Sequence, residues 1–289
     1  TAEVNNNIRS QGEEIESGEA VLKIGKRLNS ADISLLANLG ISQVYVFQPL
    51  VVGVLATGDE LVAIGYELQS LAQIYNSNTP TLKSLLSDLP ITIRDYGIIP
   101  DNLEQTTIAV NEAMQDCDVL ISTAGVSVGD YDFLTTVIET LGQINHYKVA
   151  MKPGKPFVFG ELNKNLDKPV LYFGLPGNPL STVVGALQFV IPALWQMSGA
   201  SVSEQPMPLT IKAKLISDIR KSPGRKDFQR GVLSRDETGN YQVECFSRQQ
   251  SHRIKQLSRA NCFIVLDKDS GNVAAGNDVV VQPFPWLHR

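Results

Sequence analysis

The sequence predicts an α/β protein with a small all-β domain at its C-terminal end and a short connector at its N-terminal end. Two textures of the chain predict this. Between residues 48 and 204, short β-branched runs alternate with longer segments whose apolar residues recur at helical spacing, the pattern of βαβ units and a parallel sheet. From residue 205 to 289 the chain turns to short strand-like runs separated by Gly, Asp, Asn and Pro turns, the pattern of an all-β unit. A length of 289 residues, 43% of them apolar, is enough to bury both cores.

Taken in order, residues 1–47 read as a connector. Charged and polar residues mix there with short apolar groups, and one capped helix, Ser30-Ala-Asp-Ile-Ser-Leu-Leu-Ala-Asn-Leu-Gly40, is stopped by its glycine. Val51-Val-Gly-Val-Leu-Ala56 is unbroken and β-branched, as a strand buried on both faces should be, and the polar loop Thr57-Gly-Asp-Glu60 follows at its end. Thr79-Pro80 opens a helix in which Leu82, Leu85, Leu86 and Leu89 share a face, with Pro in the first turn and Thr as cap. Residues 91–97 form the next strand and lead to Pro100-Asp101; residues 103–116 form a helix returning to a strand at 119–121. A strand at 170–173 repeats the pattern, with Asn178 as N-cap and Pro179 as the first residue of a helix through Val183, Val184, Leu187, Val190, Ile191 and Leu194. In the β-domain, strands are expected at 209–215, 228–233, 241–246, 262–266 and 279–282.

Composition narrows the function. A formal net charge of -5 gives no general attraction for nucleic acid or an anionic membrane, so anion binding has to come from a local cluster of cations. Cys117, Cys245 and Cys262 include no C-x-x-C pair and read as buried thiols in a reducing, cytoplasmic setting. No segment is expected to reach the apolar length that crosses a bilayer, and the polar start Thr1-Ala-Glu-Val-Asn-Asn-Asn7 is unlike a signal peptide. Neither a G-x-G-x-x-G fingerprint nor a P-loop is present, and His146, His252 and His288 are dispersed without metal-ligand spacing.

Three loops at strand ends remain: Ser122-Thr-Ala-Gly-Val-Ser-Val-Gly-Asp130, Lys152-Pro-Gly-Lys-Pro156 and Leu175-Pro-Gly-Asn-Pro179. In an open α/β sheet ligands bind beyond the carboxyl ends of the strands, and glycines such as Gly125 and Gly129 let backbone N–H groups approach phosphate oxygens, with Ser127 between them. Lys148, Lys152 and Lys155 flank a loop stiffened by two prolines, which suits a small oxyanion; alone, they would read as a solvated basic turn. Acidic residues recur at successive strand ends, Asp59 with Glu60, Asp101, and Asp130 with Asp132. Carboxylates beside phosphates hold Mg²⁺, although any single one reads better as a wet loop residue, and it is their recurrence at successive strand ends that favours the site.

With these residues in view, the chain resembles the molybdopterin molybdenumtransferases, MoeA of bacteria and the corresponding domain of gephyrin. The resemblance runs through seven collinear stretches: Ile8-Arg-Ser-Gln-Gly-Glu-Glu-Ile15, Ala56-Thr-Gly-Asp-Glu-Leu61, Ile74-Tyr-Asn-Ser-Asn78, Thr123-Ala-Gly-Val-Ser-Val-Gly-Asp130, Met151-Lys-Pro-Gly-Lys-Pro156, Gly174-Leu-Pro-Gly-Asn-Pro179 and Pro223-Gly-Arg-Lys-Asp-Phe-Gln-Arg230. It implies a three-layer α/β/α molybdopterin-binding domain, a C-terminal β-domain, a cytoplasmic homodimer, and family sequence preceding Thr1. It also implies a reaction: adenylylated molybdopterin and molybdate, with Mg²⁺, give molybdenum cofactor and AMP. Glu60, Asp101, Asp132, Lys148 and Lys152 then stand at positions of catalysis or of metal and phosphate handling, with Glu60, Asp101 and Asp132 as the metal set. Lys152, Lys155, Pro156, Ser181, Arg225 and Ser251 stand at the molybdate pocket, and Thr57, Gly58, Asp59, Gly125, Ser127, Gly129 and Asn178 at the pterin-binding loops. Ala124 departs from the family, which commonly has a second glycine there. The rival readings are a molybdopterin adenylyltransferase, which lacks the Lys-Pro-Gly-Lys-Pro run and the β-domain, and a gephyrin-like scaffold that binds peptide without catalysis.

Overall fold

The β-branched runs become the centre of a sheet and the helical segments cover it. The structure, a computed structural model, describes residues 9–124, 133–163, 168–205, 207–251 and 253–287. The chain divides into two compact units, one from the chain up to Gln48 with Trp195–Gln205, the other from Pro49–Leu194 with the chain from Pro206 onward.

The first unit holds α1 (Ser30–Asn38). Its cap is Asn29, one residue before the expected Ser30: the Asn29 side chain accepts from the Ala31 and Asp32 N–H groups while Asp32 accepts from the Asn29 N–H. Lys26 pairs with Asp32 at 2.7 Å, and Gly40, at φ +70, ends the helix as expected.

In the second unit the chain runs β1 (Leu50–Thr57), β2 (Leu61–Val62), β3 (Ile74–Tyr75), α2 (Asn78–Leu86), β4 (Ile91–Ile99), α3 (Leu103–Asp116), β5 (Val119–Thr123), α4 (Phe133–Leu141), β6 (Gly142–Lys148), β7 (Met151–Lys152), β8 (Pro156–Leu162), β9 (Val170–Leu175) and α5 (Pro179–Gly185). The last continues through a π-helical turn into α6 (Ile191–Met197), of which Trp195–Met197 belong to the first unit. The first sheet has the order β4-β1-β5-β9-β8-β6; its first four strands are parallel, and β8 and β6 add antiparallel at one edge. Leu55, Leu120, Ile138, Val158 and Tyr172 pack in its core with α3 and α4. The β6–β8 hairpin and α4 have no counterpart in the sequence reading. β6 is an exposed edge strand rich in Gln, Asn, His and Lys, so its composition looks like a loop. In α2 the cap is also corrected: Asn76 Oδ1 accepts from the Thr79 N–H, and the Thr79 hydroxyl is occupied by Asn76 Nδ2 at 2.9 Å.

The helix from Pro179 to Met197 corrects the expectation that no segment reaches membrane-spanning length. It has 19 residues and a mean hydropathy of 1.4, but 61% of its apolar window is buried, as in a core helix.

The β-domain contains β10 (Ile211–Leu215), β11 (Lys226–Arg235), β12 (Tyr241–Cys245), α7 (Ile254–Arg259), β13 (Cys262–Leu266) and β14 (Asp278–Pro283). All five expected strands form, in the order β12-β10-β14-β13-β11, and β12 also pairs with β11, which closes the sheet on itself. Outside that ring, β7 lies parallel to β11 with Met151 opposite Lys226 and Lys152 opposite Asp227. A two-residue strand from the α/β part is thus stitched into the β-domain. The three thiols are buried, and burial pushes Cys245 up to about 11 and Cys262 up to about 12.

Asp118 sews the amino ends of the parallel strands together. Its carboxylate accepts from the Val51 N–H at 2.8 Å and from Lys168 Nζ at 2.5 Å. Burial pulls its carboxyl upward, but those two partners outweigh burial and hold it below the usual carboxylate range. A depressed native value stabilises the fold above the unfolded value of about 3.9, and that contribution disappears as pH falls through the native value. Asp118→Asn should therefore lower stability at neutral pH and flatten the acid limb of the stability curve, as read by denaturant unfolding between pH 2 and 7.

Candidate functional site

Where β7 joins β11, the α/β part and the β-domain of the second unit line a half-open cavity of about 350 Å³. The α/β part contributes Lys152, Pro153, Gly154, Lys155 and Ser181; the β-domain contributes Arg225, Asp227, Phe228, Gln229, Gln249, Gln250 and Ser251. Each position has a local cause. Lys152 is held by the β7–β11 pairing. Gly154 has φ +95, and a Cβ there would lie 2.5 Å from the Met151 methyl carbon, so the turn that brings Lys155 round requires glycine. Ser181 stands in the first turn of α5, where unpaired N–H groups and the helix dipole favour an anion. Three cations and two hydroxyls line this cavity against the single carboxylate of Asp227, whose Oδ2 accepts from Gln229 Nε2 at 3.2 Å.

The loop carrying Arg225 is tied down by a residue that the sequence does not announce. Lys221 is buried, and its ammonium donates to the carbonyls of Ser270 at 2.7 Å, Lys268 at 3.3 Å and Ser222 at 3.4 Å. Gly224 N–H donates to the same Lys268 carbonyl at 2.8 Å. No sequence signal separates Lys221 from a surface lysine, because its two shorter bonds go to backbone carbonyls of a distant turn.

The other expected residues fall in two places. Lys148 ends β6 opposite Pro156 on β8, and neither lines the cavity. At the ends of β1 and β4, the Asp59 N–H donates to Asp101 Oδ2 at 3.3 Å and the Asp101 N–H donates to Asp59 Oδ1 at 3.0 Å. This reciprocal pair holds two exposed carboxylates side by side. Thr57 is buried before it; Gly58, at φ +139, lies against the Glu60 carboxylate, which would sit 2.4 Å from any Cβ. Gly125, Ser127, Gly129 and Asp132 lie outside the described residues. Among the described residues no three His, Cys, Asp or Glu side chains converge as a ready-made metal cage.

Between these places, Asn178 takes the extended N-cap conformation before Pro179, but its side chain does not cap the helix. Its Nδ2 instead donates to Ser251 Oγ at 2.9 Å. Asn78 Nδ2 donates to the Gly177 carbonyl at 2.8 Å, and the buried Oδ1 atoms of Asn78 and Asn178 have no partner among the described residues.

Residues 53–196 match the family model described as "Probable molybdopterin binding domain", and residues 212–284 match that of the MoeA C-terminal region, domain IV. Over 283 residues the chain is 41% identical to the molybdopterin molybdenumtransferase of Haemophilus influenzae, covering 98% of this chain and 68% of that protein. The chain belongs to the MoeA-type molybdopterin molybdenumtransferase family. A Staphylococcus aureus molybdopterin molybdenumtransferase is 34% identical over 280 residues, covering 95% of this chain and 64% of its own length. Gephyrin of Dictyostelium discoideum is 32% identical over 309 residues, at 96% and 42% coverage. The crystal structure of a molybdopterin biosynthesis MoeA protein from Pyrococcus horikosii superposes with a TM-score of 0.76 at 27% identity, over 94% of this chain and 64% of that one. The chain thus spans about two thirds or less of these relatives. Its α/β fold with an all-β C-terminal domain is the MoeA arrangement, and its place is in molybdenum cofactor biosynthesis.

The family resemblance draws attention to Ala124, which has φ +77, a left-handed conformation costly for any residue with a Cβ. Ala124→Gly should raise stability by about 0.5–1 kcal/mol, the left-handed penalty less the added chain entropy. The measurement is the shift in denaturation midpoint at constant m; no shift would mean that the surroundings impose the same cost on glycine.

Proposed function

We propose that this chain inserts molybdate into adenylylated molybdopterin with release of AMP, assisted by Mg²⁺, and that the cavity at the β7–β11 junction is where molybdate sits. The observation that carries the reading is the convergence of Lys152, Lys155, Ser181, Arg225 and Ser251, from four separate segments, on one small cavity with a surplus of positive charge. Ammonium and guanidinium groups hold a dianion by charge-assisted hydrogen bonds, and the hydroxyls orient its remaining oxygens. The second element is the Asp59–Asp101 pair, with Glu60 beside it at the end of β1 and Asp132 as a further candidate. Its exposed carboxylate oxygens are hard donors suited to Mg²⁺, which takes one or two carboxylates and completes its shell with water and substrate phosphate. A bound Mg²⁺ would supply charge neutralisation at the pyrophosphate. Asn78 and Asn178, whose buried Oδ1 acceptors have no partner among the described residues, suit the pterin, and holding both reactants in register is where the rate gain arises. A cytoplasmic homodimer belongs to the same reading.

The test is AMP release from adenylylated molybdopterin, with and without molybdate and Mg²⁺, by the chain alone and within its longer polypeptide. Molybdate-stimulated release is expected. Release without molybdate dependence, or none from either form, would overturn the proposal, and peptide capture without turnover would put the scaffold in its place.

A further inference from the structure

Among the described residues Arg230 is the largest fully buried side chain, at 0% exposure, and no carboxylate forms an ion pair with it. A buried, unpaired guanidinium is costly unless its donors are satisfied. Its partners are instead the backbone of one loop: Nη1 donates to the Arg253 carbonyl at 2.8 Å, and Nη2 to those of Gln250 at 3.1 Å and Arg248 at 3.4 Å. Gln249 completes the tether, since its Oε1 accepts from the Arg230 N–H at 3.0 Å and from Nε at 3.3 Å, while its Nε2 donates back to the Arg230 carbonyl at 3.0 Å. The loop between β12 and α7 is fastened to this one side chain, while Phe246 at its start packs on the neighbouring apolar cluster. That loop delivers Gln249, Gln250 and Ser251 to the cavity, and its other anchor there is the bond from Asn178 to Ser251.

We propose that Arg230 is a positioning residue for the oxyanion, holding Ser251 and Gln250 at the cavity wall by fastening the loop from beneath. The inference rests on the cavity being the molybdate site. The planar fork reaches carbonyls in different directions at once, whereas a lysine ammonium has a shorter reach and a single origin. Arg230→Lys keeps the charge but cannot keep the loop, so the larger loss falls on the oxyanion; the pterin loops belong to other elements and meet this one through the bond from Asn178 to Ser251.

The experiment is calorimetric titration of the full-length protein with sodium molybdate and, separately, with adenylylated molybdopterin, for the wild type, Arg230→Lys and Gln249→Ala. A misplaced hydrogen bond to a charged oxyanion costs about tenfold or more in affinity, so both variants should weaken molybdate at least about tenfold and leave pterin affinity within about twofold. Adding Arg230→Lys to Ser251→Ala should cost less than the sum of the two changes, because they act through one loop. Wild-type molybdate affinity in both variants, parallel losses for both ligands, or strict additivity would overturn the positioning role. Gln249→Ala reports on the same tether should Arg230→Lys fail to fold. A wild-type protein that does not bind molybdate would overturn the cavity reading, and this inference with it.

Discussion

Lys152→Ala is expected to raise the KM for molybdate by about 10- to 100-fold, because a hydrogen bond to a charged group is worth about 1.5–3 kcal/mol and its loss here also removes one of three cations. Lys152 is exposed and joins β11 through its backbone, so truncating the side chain leaves the strand pairing in place. The effect should fall on molybdate KM and leave the affinity for adenylylated molybdopterin unchanged. A Lys152→Arg variant, which keeps the charge, should recover part of the loss. Equal losses for both substrates would assign Lys152 to the pterin phosphates instead. Initial rates of AMP release across a molybdate series decide between these.

The second large effect is expected from Asp101→Asn. The amide oxygen can still accept from the Asp59 N–H, so the reciprocal pair keeps its shape while one negative charge is lost. If the pair helps to hold Mg²⁺, AMP release should slow by about 100-fold, with the Mg²⁺ requirement shifted upward and molybdate KM unchanged. Unchanged Mg²⁺ dependence would remove Asp101 from the metal set. Together the two variants separate the cavity at the domain junction from the carboxylates at the strand ends.

Much of this architecture was legible before any coordinates. β1 and β5 are short β-branched runs and β9 a short apolar one, all buried on nearly every residue, and α3 begins and ends at residues 103 and 116 as expected. The residues lining the cavity at the β7–β11 junction were legible mainly through resemblance, since Arg225 and Ser251 carry no local signature of a site. What escaped reading shares a physical character. β6 was missed because an exposed edge strand has no apolar alternation to display. The caps at Asn29 and Asn76 were displaced because several polar residues next to a helix start compete for the same N–H groups, and only packing chooses among them.

Local propensity and hydrophobic period act over a few residues, so the sequence by itself determined the identity of most elements, the change from α/β to all-β texture, and the chemistry available at the strand ends. Only the tertiary structure decided that β7 leaves the first sheet to pair with β11, that Asn178 spends its amide on Ser251, 73 residues away, and that Lys221 and Arg230 are buried to hold loops rather than exposed to solvent. Those choices depend on closing long loops and on satisfying backbone carbonyls that no short window of sequence brings together.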